Sequence, residues 1–166
     1  MRDLVLIVHD IRSTHNVGSL LRTADGFGVK HVHFTGYSPY PQLSEQDTRL
    51  PHIAQKLERQ ISKTALGAER TVTWSQSDDL PSLLADLREN DYRLVALEQD
   101  EQAVPLPNYT PRHKTALLIG REVEGIEKAL LEQMDDVIEI PMFGQKESFN
   151  VVQATAIALY HLRFSP

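Results

Sequence analysis

The sequence predicts an α/β domain built on a mainly parallel sheet flanked by helices. Short apolar runs rich in β-branched residues alternate along the 166 residues with segments of helical periodicity, which is the pattern of βαβ units. No internal repeat, low-complexity tract or linker interrupts this alternation. We therefore expect residues 1–166 to form a single domain that binds ligands beyond the carboxyl ends of its strands.

The N-terminal part predicts two strands and two helices. Residues 4–8 (LVLIV) form an apolar run suited to a strand that is buried on both faces of the sheet. A helix follows from about Asn16, and His31–Thr35 (HVHFT) forms a second strand that ends at a glycine. The proline-rich, polar stretch 37–51 is expected to be a functional surface loop, followed by a helix over His52–Lys63.

The middle of the chain alternates in the same way. Arg70–Trp74 (RTVTW) predicts a strand, because β-branched and aromatic residues favour strands. A proline near the first turn and apolar residues at helical spacing predict a helix over Asp79–Asn90. Arg93–Glu98 (RLVALE) predicts another buried strand, and the open stretch 99–114 is expected to be a second long loop.

The C-terminal part predicts two more strands and two more helices. Thr115–Ile119 is an apolar run that ends at a glycine, and Ile126–Met134 has the spacing of a helix. Val137–Pro141 predicts the last strand, and the final helix covers about Phe149–Leu162. The loops expected at the ligand-binding edge of the sheet are those around Glu98, Gly120 and Ile140.

Composition excludes several kinds of site. The chain has no cysteine, which excludes disulfides, cysteine-ligated zinc and thiol catalysis. His31 and His33 share one face of a strand without a third ligand, so we expect surface histidines and no metal. The N-terminal apolar run is broken by His9 and Asp10 and matches neither a signal peptide nor a membrane span. We therefore expect a cytoplasmic protein that does not enter a membrane.

The net charge argues against a protein that binds nucleic acid through its overall field. The formal charge at pH 7 is −6, the wrong sign for attraction to phosphate. RNA binding would need a local basic patch, and a solvated surface of mixed charge is the favoured interpretation for most of the cations. The candidates for such a patch are Arg12, Lys30, Arg112, Lys114, Arg121 and Lys146.

The stretch HNVGSLLRTADGFGV, residues 15–29, places an arginine within an amphipathic helix of small residues. Gly18 precedes Arg22 by one turn, which predicts open space over that turn for a partner helix or a ligand backbone. Taken alone, an exposed pair between Arg22 and Asp25 is the favoured interpretation. Asn16 has an alternative explanation as the N-cap of the helix.

Two later stretches also lead from a strand into a helix. The glycines of Gly120–Gly125 allow close backbone approach. Between them, Glu122 can accept hydrogen bonds from the N–H groups of the next helix or from a ligand hydroxyl. Before the last helix, Ser148 is a good N-cap, whereas helix propensity explains Asn150 poorly as a residue just inside that helix. Capping therefore stays an alternative to function in both stretches.

Three motifs in this order resemble those of the SpoU/TrmH branch of the SPOUT RNA methyltransferases. They are N-x-G-x-x-x-R at Asn16–Arg22, G-x-E-x-x-G at Gly120–Gly125, and I-P-M followed by S-x-N at Ile140–Met142 and Ser148–Asn150. The resemblance covers essentially the whole chain, which is similar to a minimal catalytic domain without the additional RNA-binding domain of many relatives.

The resemblance implies a C-terminal deep trefoil knot, an exception to the rule that chains are not knotted, and S-adenosylmethionine as cofactor. It also implies a homodimer, in which helix 16–27 and the C-terminal helix pack against the partner. Phe149 stands where the family usually has leucine, although its backbone can serve equally. The implied cofactor-binding residues are Glu98, Gly120, Ile140, Met142, Ser148, Phe149 and Asn150.

The implied reaction is methyl transfer to a ribose 2′-hydroxyl of tRNA or rRNA. An arginine guanidinium stays protonated and is a poor general base. We therefore expect the catalytic Arg22 to bind the phosphate beside the target ribose and to stabilise the developing alkoxide. The other residues implied in catalysis, which would orient Arg22, the ribose and the cofactor, are Asn16, Glu122, Ser148 and Asn150.

Two alternatives stay open. A non-catalytic RNA-binding or assembly protein could use the same fold, although the intact motifs argue against it. A flavodoxin-like domain that binds a small ligand would have an unknotted chain and no affinity for S-adenosylmethionine.

Overall fold

A seven-stranded sheet forms the centre of the protein. The computed structural model describes residues 1–43, 47–122 and 124–166, so residues 44–46 of the predicted loop 37–51 and Val123 of the second motif lie outside the described residues. The strands are β1 (Asp3–His9), β2 (His31–Thr35), β3 (Trp74–Ser77), β4 (Arg93–Leu97), β5 (Val104–Pro105), β6 (Lys114–Ile119) and β7 (Asp136–Glu139). The helices are α1 (Thr14–Gly26), α2 (Pro51–Ala65), α3 (Ala68–Thr71), α4 (Leu80–Glu89), α5 (Lys128–Leu131) and α6 (Val151–Phe164).

All paired strands run parallel, in the order β3-β2-β1-β6-β4-β7-β5. The predicted class, a parallel sheet flanked by helices, is therefore confirmed. The chain first moves outward from β1 through β2 to β3 and then crosses to the other side of β1. The carboxyl ends of β1, β6 and β4 meet where the strand order reverses, which is where ligands bind in such sheets.

Each face of the sheet buries its own core. Leu4, Leu6 and Val8 of β1 face a core formed with α1, α2 and α6. Val5 and Ile7 of the same strand face a second core, formed with α4. All five side chains are almost completely buried, as predicted for a strand that is apolar at successive positions.

One predicted strand is wrong. The first residues of Arg70–Trp74 belong to the short helix α3, and the strand is displaced to β3. The Glu69 carboxylate accepts a hydrogen bond from the Gly67 N–H at 2.9 Å, and the Trp74 indole donates to the Glu69 carbonyl at 3.1 Å. These contacts favour a helical turn over the strand propensity of the local sequence.

Two other predicted boundaries change. The predicted loop 99–114 contains strand β5 and a 3-10 turn over Leu106–Asn108, both too short to leave a periodic pattern. The predicted helix Ile126–Met134 shortens to α5. A hydrogen bond of 2.8 Å from the Ile126 N–H to the Glu98 carboxylate keeps the first residues of that segment in the preceding loop.

Candidate active site

Helix α1 carries the first motif. Its N-cap is Ser13, whose hydroxyl accepts a hydrogen bond from the Asn16 N–H at 3.2 Å, so the alternative that Asn16 caps the helix is wrong. Asp25 accepts a hydrogen bond from the Thr71 hydroxyl at 2.8 Å. Arg22 is exposed and forms no ion pair with a described carboxylate, so the expected pair with Asp25 is also wrong. The Arg22 side chain is accessible to a bound molecule.

The space predicted over Gly18 is filled by α2 of the same chain. A Cβ atom at Gly18 would collide with the Ile61 carbonyl oxygen and would lie 2.9 Å from the Ala65 nitrogen. The Thr64 hydroxyl also donates to the His15 carbonyl at 2.9 Å. A helix does approach at this point, which is one of the two predicted alternatives, but it is α2 of the same chain that packs across α1.

Asn16 and Glu122 meet although they are 106 residues apart. The side-chain amide of Asn16 donates from Nδ2 to Glu122 Oε1 at 3.1 Å. The backbone N–H groups of Arg12 and Ser13 donate to the same carboxylate at 3.4 Å each. Glu122 therefore holds the start of α1, and the alternative that it caps the following helix is wrong because α5 has no side-chain cap. The first and second motifs thus form one site.

Glu98 holds the loop that contains the second motif. Its Oε2 accepts a hydrogen bond from the Ile126 N–H at 2.8 Å, and its Oε1 accepts one from the Gln99 N–H at 2.9 Å. Gly125 has φ +70°, and a Cβ atom there would collide with the Glu98 carboxylate. Only glycine allows this conformation together with so close an approach.

The third motif ends in the N-cap of α6. Asn150 Oδ1 accepts a hydrogen bond from the Val152 N–H at 2.9 Å, and α6 begins at Val151. Asn150 therefore lies outside the helix, and the prediction that Ser148 is the cap is wrong. Asparagine and serine are N-caps of similar strength, so residue type alone could not choose between them.

A cavity of about 260 Å³ lies among the loops that follow β4, β6 and β7. The predicted site residues that line it are Glu98, Gly120, Glu122, Ile140, Met142, Ser148 and Phe149. Of the other predicted residues, Asn16 contacts the cavity through Glu122, whereas Arg22 and Asn150 lie outside the described lining. The structure therefore brings together most of the predicted site.

Sequence reasoning missed part of the lining. The missed residues are Leu97, Gln99, Ile119, Arg121, Gly125, Glu139, Glu147, Val151 and Ala154. The rule that ligands bind beyond the carboxyl ends of parallel strands could have found Leu97, Gln99 and Ile119. The side of the cavity formed by Ala154 depends on how α6 packs, which no local pattern predicts.

The described lining is rich in carboxylates. Glu98, Glu122, Glu139 and Glu147 line the cavity together with Arg121, and the remaining wall is largely apolar. The Arg121 guanidinium forms an ion pair with the carboxylate of Asp10, which lies outside the lining, at 3.1 Å. Such a cavity favours a partly apolar ligand that carries positive charge.

The histidines of the sheet do not form a metal site with any other described residue. The His31 and His33 rings stack with their centroids 4.2 Å apart, and both bond to the Ser75 hydroxyl, at 2.8 and 3.1 Å. Burial, with a smaller effect from His31, lowers the pKa of His33 to about 4. Burial also lowers the pKa of His9, although the neighbouring Asp10 opposes that change. Within 1–43, 47–122 and 124–166, no three His, Asp or Glu side chains are grouped to hold a metal.

No helix in the described part of the chain is long and apolar enough to cross a membrane. The cytoplasmic location stays a prediction.

Comparisons with known proteins show the family of this chain. Residues 46–160 match the SpoU rRNA Methylase family. The 23S rRNA (guanosine-2′-O-)-methyltransferase RlmB of Bordetella pertussis is 31% identical over 157 residues, which cover 95% of this chain and 58% of that protein. The tRNA (guanosine(18)-2′-O)-methyltransferase of Aquifex aeolicus is 24% identical over 159 residues, which cover 96% and 68%.

A solved structure shows the same fold. It is the AdoMet-bound rRNA methyltransferase of Sinorhizobium meliloti, which superposes with a TM-score of 0.80 at 19% identity, over 98% of this chain and 57% of that one. This chain therefore spans little more than half the length of that protein and of the Bordetella relative.

Proposed function

We propose that this chain, which belongs to the SpoU rRNA Methylase family, transfers a methyl group from S-adenosylmethionine to a ribose 2′-hydroxyl of tRNA or rRNA. The observation that carries the proposal is the hydrogen bond between Asn16 and Glu122 beside the cavity, because it joins the first two motifs where the third motif lines the wall. The relatives named for this reaction act on 23S rRNA and on tRNA. Residues 1–166 would act as one catalytic domain.

The cavity fits S-adenosylmethionine in chemistry and approximate size. Its volume of about 260 Å³ is close to the lower end of small-molecule sites. When bound, the cofactor supplies an electrophilic sulfonium methyl group. Ile140 and Met142 offer apolar surface to its adenosine part, and Glu98 and Glu122 offer negative charge to its cations. The remaining residues that would hold it are Gly120, Ser148, Phe149 and Asn150, the last through the cap of α6.

Arg22 would act as an electrostatic catalyst. Its exposed side chain can bind the phosphate beside the target ribose and stabilise the alkoxide that develops as the hydroxyl attacks. The hydroxyl proton passes to that phosphate or to water, since a guanidinium accepts no proton. Asn16, Glu122 and Ser148 would orient the ribose against the cofactor.

A homodimer is part of the proposal. Ile157, Tyr160 and Phe164 share one face of α6 and are 39%, 61% and 63% exposed. Phe27, just after α1, lies with its ring centroid 6.4 Å from that of Tyr160. An exposed apolar strip of this kind is typical of an interface, which supports packing of α6 and the end of α1 against a second copy.

The C-terminal trefoil knot is also proposed. Strand β7 lies between β4 and β5, so the segment that links β4 to β6 passes on the outer side of β7. The chain then leaves β7 for α6, which packs against β4, β6 and the 3-10 turn of that same segment. This arrangement supports threading of the C-terminal segment through the loop that the segment between β4 and β6 forms.

The proposed function is tested with labelled S-adenosylmethionine and total RNA from cells that lack the gene. We expect label in tRNA or rRNA, and digestion to nucleosides should place it on the ribose 2′ oxygen. RNA binding without transfer would contradict the proposal and favour the non-catalytic alternative. Mapping 2′-O-methylation in RNA from cells with and without the protein then identifies the substrate.

A further inference from the structure

A tyrosine lies beside two arginines near the cavity. The guanidinium carbons of Arg12 and Arg121 lie 5.7 and 5.8 Å from the centroid of the Tyr37 ring, within the range of cation–π contacts. Tyr37 is 47% exposed, although an aromatic ring stabilises a fold most when it is buried. We name these three residues the Tyr37 cluster.

Asp10 fixes the position of the Tyr37 cluster. One carboxylate oxygen accepts the Tyr37 N–H at 3.1 Å, and the other accepts the Arg121 guanidinium at 3.1 Å. Gly36 has φ +62°, and a Cβ atom there would collide with Asp10, so the carboxylate reaches this loop only past a glycine. The buried Ser38 hydroxyl ties the loop to a β1 carbonyl at 2.9 Å. The exposed ring is therefore held on a rigid support.

The Tyr37 cluster borders the proposed active site. Arg121 lines the cavity, and the Arg12 N–H donates to Glu122. Glu122 in turn accepts the Asn16 side chain that would orient the ribose. A nucleotide next to the target ribose would therefore lie within reach of Tyr37.

Arg12 carries a charge that a phosphate can use. Its side chain is 68% exposed and pairs at 3.5 Å with Glu124, whose side chain is 50% exposed. An exposed pair of this kind contributes little stability, so a phosphate can replace Glu124. Arg121 is held more firmly, because it bonds to both Asp10 and Glu127.

We infer that Tyr37 stacks on an unpaired base next to the methylated ribose and that Arg12 binds the adjoining phosphate. Stacking on aromatic rings, together with arginine contacts to the backbone, is how proteins bind single-stranded RNA. Arg121 would act as a positioning residue, because it contacts the ring and shares Asp10 with the Tyr37 backbone. This inference rests on the proposed function, since it assumes that the ribose binds beside Asn16 and Glu122.

The test compares Tyr37→Ala and Tyr37→Phe with Tyr92→Ala. Tyr92 is a matched control, because Lys114 Nζ lies 5.8 Å from its ring centroid. This pair, however, lies where β4 and β6 begin, at the amino edge of the sheet. Loss of one stacked base should weaken binding of RNA from cells that lack the gene by about 5- to 150-fold in Tyr37→Ala. The other two variants should stay within about twofold of the parent protein, and all should bind S-adenosylmethionine normally. Filter binding measures the RNA and calorimetry the cofactor.

Arg12→Gln tests the phosphate contact separately. Loss of one such contact should reduce the slope of log Kd against log salt concentration by about one, whereas Lys56→Gln, on the exposed surface of α2, should leave it unchanged.

Unchanged RNA affinity in Tyr37→Ala, with a normal melting temperature, would overturn the stacking. An unchanged slope in Arg12→Gln would overturn the phosphate contact. Failure of the parent protein to transfer methyl groups would contradict the proposed function instead, and the binding comparison would still decide the role of Tyr37.

Discussion

The two edges of the sheet carry similar charged residues but differ in how those charges are satisfied. At the amino edge, Arg93 donates to both carboxylate oxygens of Asp136 at 2.8 Å, and the Tyr109 hydroxyl donates to the same group at 3.0 Å. At the carboxyl edge, the Arg12 side chain is 68% exposed and, among the described residues, pairs only with the exposed Glu124, at 3.5 Å. The Arg93 charge is thus used within the fold at the amino edge, whereas the Arg12 charge stays accessible to a ligand at the carboxyl edge.

The same contrast divides the predicted basic patch. Lys30 pairs with Asp3 at 3.2 Å, and Lys114 begins β6, so both lie at the amino edge. Arg121 follows the end of β6. A strand of this length separates its two ends by about 20 Å, so a single chain does not bring these cations together.

The largest effect should come from Arg22→Ala, on the exposed surface of α1. Loss of a charge that stabilises the transition state should lower the rate of methyl transfer by about 100- to 1000-fold, with cofactor affinity and melting temperature unchanged. Initial rates with labelled S-adenosylmethionine and calorimetry measure the two effects. Arg59→Ala, which removes an exposed arginine from α2, is the control. A near-normal rate with intact cofactor binding in Arg22→Ala would show that Arg22 has no catalytic role.

The contact between Asn16 and Glu122 should give the next effect. Asn16→Ala and Glu122→Ala should each lower kcat/KM by about 10- to 100-fold, because either change removes the side-chain hydrogen bond that orients the site. The double variant should lose less than the product of the single effects, since both act on one contact. Effects that simply multiply would mean that the two residues work independently.

At the amino edge, Asp136→Asn should affect stability and not activity. The Arg93 guanidinium holds the pKa of Asp136 below its ordinary value, and the variant leaves that cation without its carboxylate. We expect the free energy of unfolding to fall by about 1–3 kcal/mol, measured by urea denaturation, with cofactor affinity unchanged. Asp86→Asn on the exposed side of α4 is the control. Equal stability of the two variants would contradict the contrast between the edges.

The smallest effect concerns His33 and pH. Its pKa is lowered from 6.5 to about 4, so the unfolded chain takes up a proton at a higher pH than the folded protein does. Stability from this group is complete above pH 6.5 and is lost as the pH falls from 6.5 to 4. Because water screens the partly exposed ring, the effect is small. Between pH 6.5 and 4, the free energy of unfolding of His33→Gln should fall by about 1 kcal/mol less than that of the parent protein. Urea denaturation of both proteins at several pH values across the interval measures the difference. Equal losses of unfolding free energy in the two proteins would show that His33 plays no part.

Local pattern predicted the central strands well and the edge of the sheet poorly. The strand over residues 4–8 was predictable because burial on both faces requires apolar side chains at every position. Strand β3 was displaced in the prediction because its residues, WSQS, are only partly buried at the edge of the sheet and carry no apolar run. The two-residue strand β5 is too short for any pattern.

The sequence by itself determined the α/β class, the order of its main elements and the motifs that assign the family, because these depend on residue types and spacing along the chain. Only the tertiary structure decided that Asn16 binds Glu122, that α2 closes the space over Gly18, and that Tyr37 lies beside two arginines. Each of these contacts joins different elements of the fold. Strand order and helix packing bring those elements together, and neither depends on local periodicity alone.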